Sequence, residues 1–217
     1  MAKRRKVGNL LALALLALLV PGTPMHPYEM ANLLRRTGKE QDMKIKWGSL
    51  YTVVQNLEKH GLIKALSSDR EGRRPERTVY AITDAGRAEL RDWLHELVGT
   101  PEPELSRFEA ALSVLGVLPP DEATTLLAER LRALEADIAA RRQALLAESE
   151  RVPRLFLIEA EYALAMRQAE AGWVRSLLRE LTEETLPNLA EWRAYHETGG
   201  PPAEWMKLLA EGDQSTG

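Results

Sequence analysis

Between Gly48 and Leu97 the apolar spacing of the chain changes twice, and this limits the fold more than any other feature. From Gly48 to His60 the apolar residues Leu50, Val54 and Leu57 are spaced four and three apart, on one side of a helix. Gly61 stands where a left-handed helix cap is expected. Leu62 to Ser67 and Arg77 to Ile82 are short strand candidates. Between them lies Ser68-Asp69-Arg70-Glu71-Gly72-Arg73-Arg74-Pro75-Glu76, a charged loop with a Gly and a Pro, so the unit reads as a β-hairpin with a basic tip. Thr83-Asp84 then opens a helix from Ala85 to about Leu97, with Leu90, Leu94 and Leu97 on one side.

Two helices precede this unit. Leu10 to Val20 reads as a buried helix ended by Pro21 and Gly22. The run Met1-Ala2-Lys3-Arg4-Arg5-Lys6 before it imitates the basic start of a secretory signal. The apolar run is about half of what a bilayer needs, and it leads into patterned sequence without a clear cleavage site. A buried N-terminal helix is therefore expected, with no membrane partner. The next helix starts near His26-Pro27, where Pro at the first helical position loses no hydrogen bond. It carries Met30, Leu33 and Leu34 and stops at Gly38. Residues 39–47 form a polar connector.

Helix, helix, helix, strand, charged loop, strand, helix is the order of a winged helix-turn-helix. The second helix of such a motif enters the major groove. Here that is Gly48 to His60, whose outward residues are Ser49, Tyr51, Thr52, Gln55, Asn56 and Lys59. Gln and Asn side chains can pair bidentately with adenine. The hydroxyls suit phosphate oxygens. Lys44 and Lys46 add positive charge near the helix N-terminus, where backbone N–H groups also favour phosphate. Arg70, Arg73, Arg74 and Arg77 on the hairpin would grip the backbone or the minor groove.

Charge follows the same division. Residues 1–100 carry 17 Lys/Arg against 11 Asp/Glu, and the remainder 12 against 21. A basic first half suits double-stranded DNA, and an acidic second half would not compete for it.

Gly99-Thr100-Pro101-Glu102-Pro103 is the clearest linker, and beyond it the chain reads helical throughout. Phe108 to Leu118 is expected as a short helix closed by Pro119-Pro120. A long helix follows from Asp121 to about Glu150, with Leu127, Leu131, Leu134, Ile138 and Leu145 on its stripe and Arg141 interrupting it. Pro153 opens another, to about Leu181, with a face of Ile158, Tyr162, Ala165, Ala169, Trp173 and Leu177. Two long helices in succession suggest an antiparallel pair with apolar surface left for a partner. The expected organisation is a DNA-binding domain over 1–98 with its first helix at 10–20, and a linker over 99–104. A helical dimerisation domain follows over 105–186, then an extra segment over 187–217 whose end is polar. The fold class is mainly α with a small β-hairpin wing.

Other chemistries find little support. The chain has no Cys, which excludes disulfides and Cys-based metal or thiol sites and fits a reducing cytoplasm. His26, His60, His95 and His196 lie in no metal-ligand spacing. Neither a phosphate-binding glycine loop nor a nucleophile–base arrangement occurs, so no catalytic residue, metal or cofactor is expected. The plain reading of Trp47, Trp93, Tyr162 and Trp173 is packing in a core or a dimer interface. The sharper one is a pocket for a small aromatic effector.

Three ordered blocks resemble the PadR family of bacterial transcriptional regulators. The first is Leu10 to Val20 followed by Pro24-Met25-His26-Pro27-Tyr28-Glu29-Met30. The second is Gly48-Ser49-Leu50-Tyr51 with Leu57-Glu58-Lys59-His60-Gly61-Leu62-Ile63. The third is Gly72-Arg73-Arg74-Pro75-Glu76-Arg77-Thr78-Val79-Tyr80 with Ile82-Thr83-Asp84-Ala85-Gly86-Arg87. Together they cover about 8–98. Leu155 to Tyr162 resembles the virulence-activator-type C-terminal domain of the family's long subfamily. The resemblance implies a cytoplasmic, homodimeric, ligand-responsive regulator, most often a repressor, dimerised through its C-terminal helices. It does not identify the ligand, although some members sense phenolic or drug-like compounds, in keeping with the sharper reading of the aromatic residues. One departure is Thr52, where the family commonly has Pro; Thr frees a backbone N–H and adds a hydroxyl. The rival reading is a protein-interaction adaptor whose winged helix no longer binds DNA.

Overall fold

Helix α1 (Leu10–Leu19) is apolar along its whole length, and Leu11 to Leu16 and Leu19 are all buried. A helix that is apolar all round belongs inside a core. In the computed structural model, which describes residues 5–38, 47–66, 78–102 and 106–200, it is the element that the rest of the first unit packs around. Asn9 caps it, its side chain accepting from Leu11 N–H at 2.9 Å. Each fully buried Leu contributes about 1.5–3 kcal/mol of transfer free energy. Among the described residues no helix is long and apolar enough to cross a membrane.

Helix α2 (Pro27–Arg36) begins as its sequence suggests, with Pro27 in the first turn. His26 Nδ1 accepts from Tyr28 N–H at 3.1 Å, and Glu29 accepts from His26 N–H at 2.9 Å. This reciprocal cap satisfies donors that the helix itself cannot. A short 3-10 turn (Trp47–Ser49) leads into α3 (Leu50–Lys59), whose buried residues are Leu50, Val53, Val54 and Leu57.

Gly61 ends α3 in the left-handed region, at φ +70°. Leu62 N–H bonds Leu57 O at 2.9 Å and Gly61 N–H bonds Glu58 O at 2.8 Å, the paired bonds of a Schellman cap. Strand β1 (Ile63–Leu66) then pairs antiparallel with β2 (Val79–Ile82), with Ile63 opposite Ile82 and Leu66 opposite Val79. Met25 adds a further bridge to Tyr80, with both backbone bonds at 3.0 Å. The segment ahead of α2 is thereby tied to the hairpin. Helix α4 (Asp84–Gly99) closes the unit and buries Gly86, Leu90 and Trp93. The expected stripe of Leu90, Leu94 and Leu97 is corrected here. Leu94 and Leu97 are exposed, and Trp93 takes the inward position beside Leu90.

The chain divides into compact units at residue 103. In the second, the segment expected as one helix from Phe108 to Leu118 is α5 (Arg107–Leu112) followed by a 3-10 turn (Leu115–Val117). Helix α6 (Pro120–Ser149) and helix α7 (Ile158–Thr182) lie antiparallel. Ion pairs join them in the antiparallel sense, Arg130 with Glu170 and, further along α6, Asp137 with Arg167 at 3.7 Å; Glu135 adds a pair with Arg175. Arg141, which interrupts the apolar stripe, pairs with Asp137 one turn back at 2.7 Å. Helix α8 (Leu189–Thr198) buries Leu189 and Trp192 in the same core, so this part of the segment beyond 186 contributes to the unit.

The packing face of α7 differs from the one expected. Ala171, Val174 and Leu181 are buried, whereas Ile158, Tyr162, Ala165, Ala169 and Trp173 lie exposed. Small residues let α6 and α7 approach closely, and the bulky stripe is left on the other side.

Candidate nucleic-acid interface

The inward residues of α3 decide what its outward residues can do. Because Leu50, Val53, Val54 and Leu57 are held in the core, Tyr51, Thr52, Gln55, Asn56 and Lys59 all lie exposed on the opposite side. Tyr51, Gln55 and Lys59 are successive turns of one row, and Thr52 and Asn56 form the row beside it. The face carries donors, acceptors and one cation, with no carboxylate among these five residues. Ser49 sits half-buried at the start, in the 3-10 turn. Val53 is a core residue that the sequence analysis missed, although its place one turn from Leu50 signals it.

The hairpin is fixed to the end of α3 by side chains and by a close approach. Thr83 caps α4, its hydroxyl oxygen accepting from Gly86 N–H at 3.0 Å. The same hydroxyl donates toward Gly61 O at 2.7 Å, and Thr83 N–H bonds Leu62 O at 3.1 Å. At Gly86 a Cβ would stand 2.0 Å from Leu62 O, so only glycine lets α4 pass this close to the hairpin base. Burial, and then the negative charge of Glu58 on α3, hold the Tyr80 phenol above its ordinary pKa. Tyr80 is therefore a neutral packing group between hairpin and helix.

A second anchor was not legible beforehand. Arg5, part of the basic run that imitates a signal, is buried against α4. It donates to Glu89 at 2.7 Å and to Asp92 at 3.1 Å, and pairs with Glu96. Its guanidinium lies 5.3 Å from the centroid of the Trp93 ring. Burial works against its charge, but the bonds to Glu89, Glu96 and Asp92 outweigh that and hold its pKa above the ordinary value. Arg87 donates to Val20 O at 2.7 Å, tying α4 to the end of α1. Both are scaffold cations rather than cations facing a ligand.

Of the remaining sequence-based candidates, Lys44, Lys46, Arg70, Arg73, Arg74 and Arg77 lie outside the described residues, as does the side chain of Trp47. Trp93 is buried at 5% exposure and serves the first unit's core. Tyr162 and Trp173 belong to the second unit and are exposed on α7. The ring of Trp173 meets Phe108 edge-on at 6.1 Å, and Arg130 lies 3.6 Å over the Phe108 ring. Among the described residues no group of three or more His, Asp or Glu side chains could hold a metal.

A three-helix core with a hairpin after the third helix defines a winged helix-turn-helix protein, here with an all-helical second unit. Residues 15–92 match the Transcriptional regulator PadR-like family. Solved structures share the fold along most of the chain. PadR from Bacillus subtilis, solved with operator DNA, is 22% identical at a TM-score of 0.64, covering 79% of this chain and 99% of that one. The same protein with p-coumaric acid is 20% identical at 0.66, covering 80% and 99%. The Vibrio cholerae virulence activator AphA is 22% identical at 0.61, covering 80% and 99%. Comparison with curated proteins finds no match.

Proposed function

We propose that the chain is a sequence-specific DNA-binding regulator, acting as a homodimeric repressor on a palindromic operator. The observation that carries this is the exposed face of α3: Tyr51, Thr52, Gln55, Asn56 and Lys59, with Glu58 its one carboxylate near the C-terminal end, on a helix locked by its opposite face. Gln55 and Asn56 read base edges, and Tyr51, Thr52 and Lys59, with Ser49 at the helix start, contact phosphates. Lys44, Lys46 and the wing residues Arg70, Arg73, Arg74 and Arg77 add backbone contacts. The Bacillus subtilis protein solved on operator DNA supports the assignment by its shared fold.

The second unit carries the dimer contact. The exposed row Ile158, Tyr162, Met166 and Trp173 on α7 is a continuous apolar stripe that a second copy would cover. A two-fold dimer then presents its α3 helices to half-sites about 34 Å, or a multiple of it, apart. A small aromatic effector would act by shifting the spacing of these heads. The solved complex of the fold with p-coumaric acid supports that ligand class. Site, if used, and direction of response are read from ligand titration of the DNA complex.

The test is binding of the full-length protein to DNA upstream of its own coding sequence, against a scrambled duplex, from low to high salt. The expected result is preference for the native duplex and affinity falling steeply with salt. No binding even at low salt contradicts it and favours an adaptor. Replacing Arg73 and Arg74 with Ala should weaken binding to both duplexes and flatten the salt dependence. A changed sequence preference with an intact salt slope would contradict the phosphate role of the wing.

A further inference from the structure

Helices α6 and α7 share a groove of about 390 Å³. None of the exposed apolar residues Ile158, Tyr162, Met166 and Trp173 lines it, so a cover over that row need not close it. Three rungs cross the groove. At one end the Glu135–Arg175 ion pair, at 2.7 Å, sets the register of the two helices. Because they run antiparallel, seven residues forward on α6 are matched by seven back on α7, which puts Arg142 across from Gln168 at the other end. All four residues line the groove. Midway stand Ala139 and Ala171, also lining residues, with a single methyl group each. The depression exists because this middle rung has no side chain long enough to fill it.

The two ends differ in chemistry. Glu135 and Arg175 satisfy each other. Arg142 and Gln168 are both exposed, and among the described residues neither has a hydrogen bond or ion pair through its side chain. Arg142 therefore keeps its whole fork of donors for a ligand, and a planar guanidinium meets a carboxylate with two parallel bonds. The Gln168 amide can donate beside it. Glu135 stands about 10 Å back along α6, and its negative charge disfavours a second anionic group at that end. A hydroxyl that donates to Glu135 suits it better. Between the ends, Ala139 and Ala171 with Ile138 give an apolar floor that a flat ring system can cover. The volume lies within the range of about 300–1,000 Å³ of small-ligand sites.

We infer that this groove binds a flat organic monocarboxylate about 10 Å long. Its carboxylate sits on Arg142 and Gln168, its ring system covers Ala139 and Ala171, and its far end meets the Glu135–Arg175 pair. The inference deepens the effector reading above by giving that ligand a place. It is tested by binding alone, so it stands or fails whether or not the ligand acts on a DNA complex.

The probe is 6-hydroxy-2-naphthoate, a fluorescent, flat molecule with its carboxylate and hydroxyl at opposite ends. Full-length protein is titrated with it at neutral pH, and 2-naphthol, which lacks the carboxylate, is the comparison. Saturable binding of the naphthoate is expected, about tenfold or more tighter than that of the naphthol. Arg142→Gln should weaken naphthoate binding by about tenfold or more and leave naphthol binding as it was. Ala139→Leu, which fills the middle rung, should weaken both. Arg142 and Ala139 are exposed, so both variants should keep the circular dichroism and melting temperature of the parent. An absence of saturable naphthoate binding, naphthol binding of equal strength, or naphthoate binding unchanged in either variant would overturn the inference.

Discussion

The two units of the chain bury their apolar residues very differently. In the first, the described core holds 19 buried residues, seven of them from the ten of α1. In the second, two helices of 30 and 25 residues share a core of only 8. Bulky side chains of α7, including Ile158, Tyr162, Met166 and Trp173, are exposed. Length is therefore not what makes a stable unit. The first holds one polar face of α3 steady, and the second leaves apolar surface open. Division of labour is written in where the large hydrophobic residues go.

The largest expected effect attacks the closed core. Leu57→Ala removes a side chain with no exposed surface from the inner face of α3 and should cost about 2–5 kcal/mol. Urea unfolding would show it as a lower midpoint, and a loss below about 1 kcal/mol would mean the core relaxes around the cavity. Next is the open surface. Tyr162→Asp with Trp173→Asp should weaken self-association by about 2–4 kcal/mol while the first unit keeps its fold. Sedimentation and the near-ultraviolet signal of Trp93 would separate the two outcomes; an intact dimer would place the contact elsewhere.

Gly86→Ala sharpens the comparison by loosening the wing without touching α3. The methyl group would meet Leu62 O, and overpacking of this kind costs about 1–3 kcal/mol. DNA affinity should fall more than thermal stability alone explains. The smallest effect is electrostatic and exposed. Arg154 hydrogen-bonds Glu161 and holds its carboxyl below the ordinary value. The stability it adds is present above the unfolded pKa and lost as pH falls through the lowered folded one. Carbon-13 titration of Glu161 should move upward in Arg154→Ala; no movement would remove the pair from the account.

Much of the first unit was legible because its signals are local. The Pro27 start, the Gly61 cap, the Thr83 cap and the two strands all depend on neighbours in sequence, and the structure has them. What escaped notice depends on distant partners. The Met25–Tyr80 bridge, the Arg5 cluster and the closeness of Gly86 to Leu62 join residues that no periodicity connects. The α7 face was misassigned for a related reason. Periodicity located an apolar stripe but could not say whether its cover is this chain or another. The small residue Ala171 marks the true inner face of α7, where size rather than hydrophobicity decides how near α6 can come. The exposure of Tyr51, Thr52, Gln55, Asn56 and Lys59 was legible, since an amphipathic helix fixes its outer residues once its inner ones are known, whereas Ser49 is half-buried and exposed Glu58 was not counted.

If the α3 face reads sequence, Gln55 and Asn56 carry the discrimination between bases. The most direct measurement is competition between native upstream DNA and a scrambled duplex for the wild-type protein and for Gln55→Ala with Asn56→Ala, at several salt concentrations. The double variant should keep the salt slope and lose most of the preference for native DNA, about 1–3 kcal/mol for each lost base contact. A preference left whole, with Gln55 and Asn56 both removed, would contradict it.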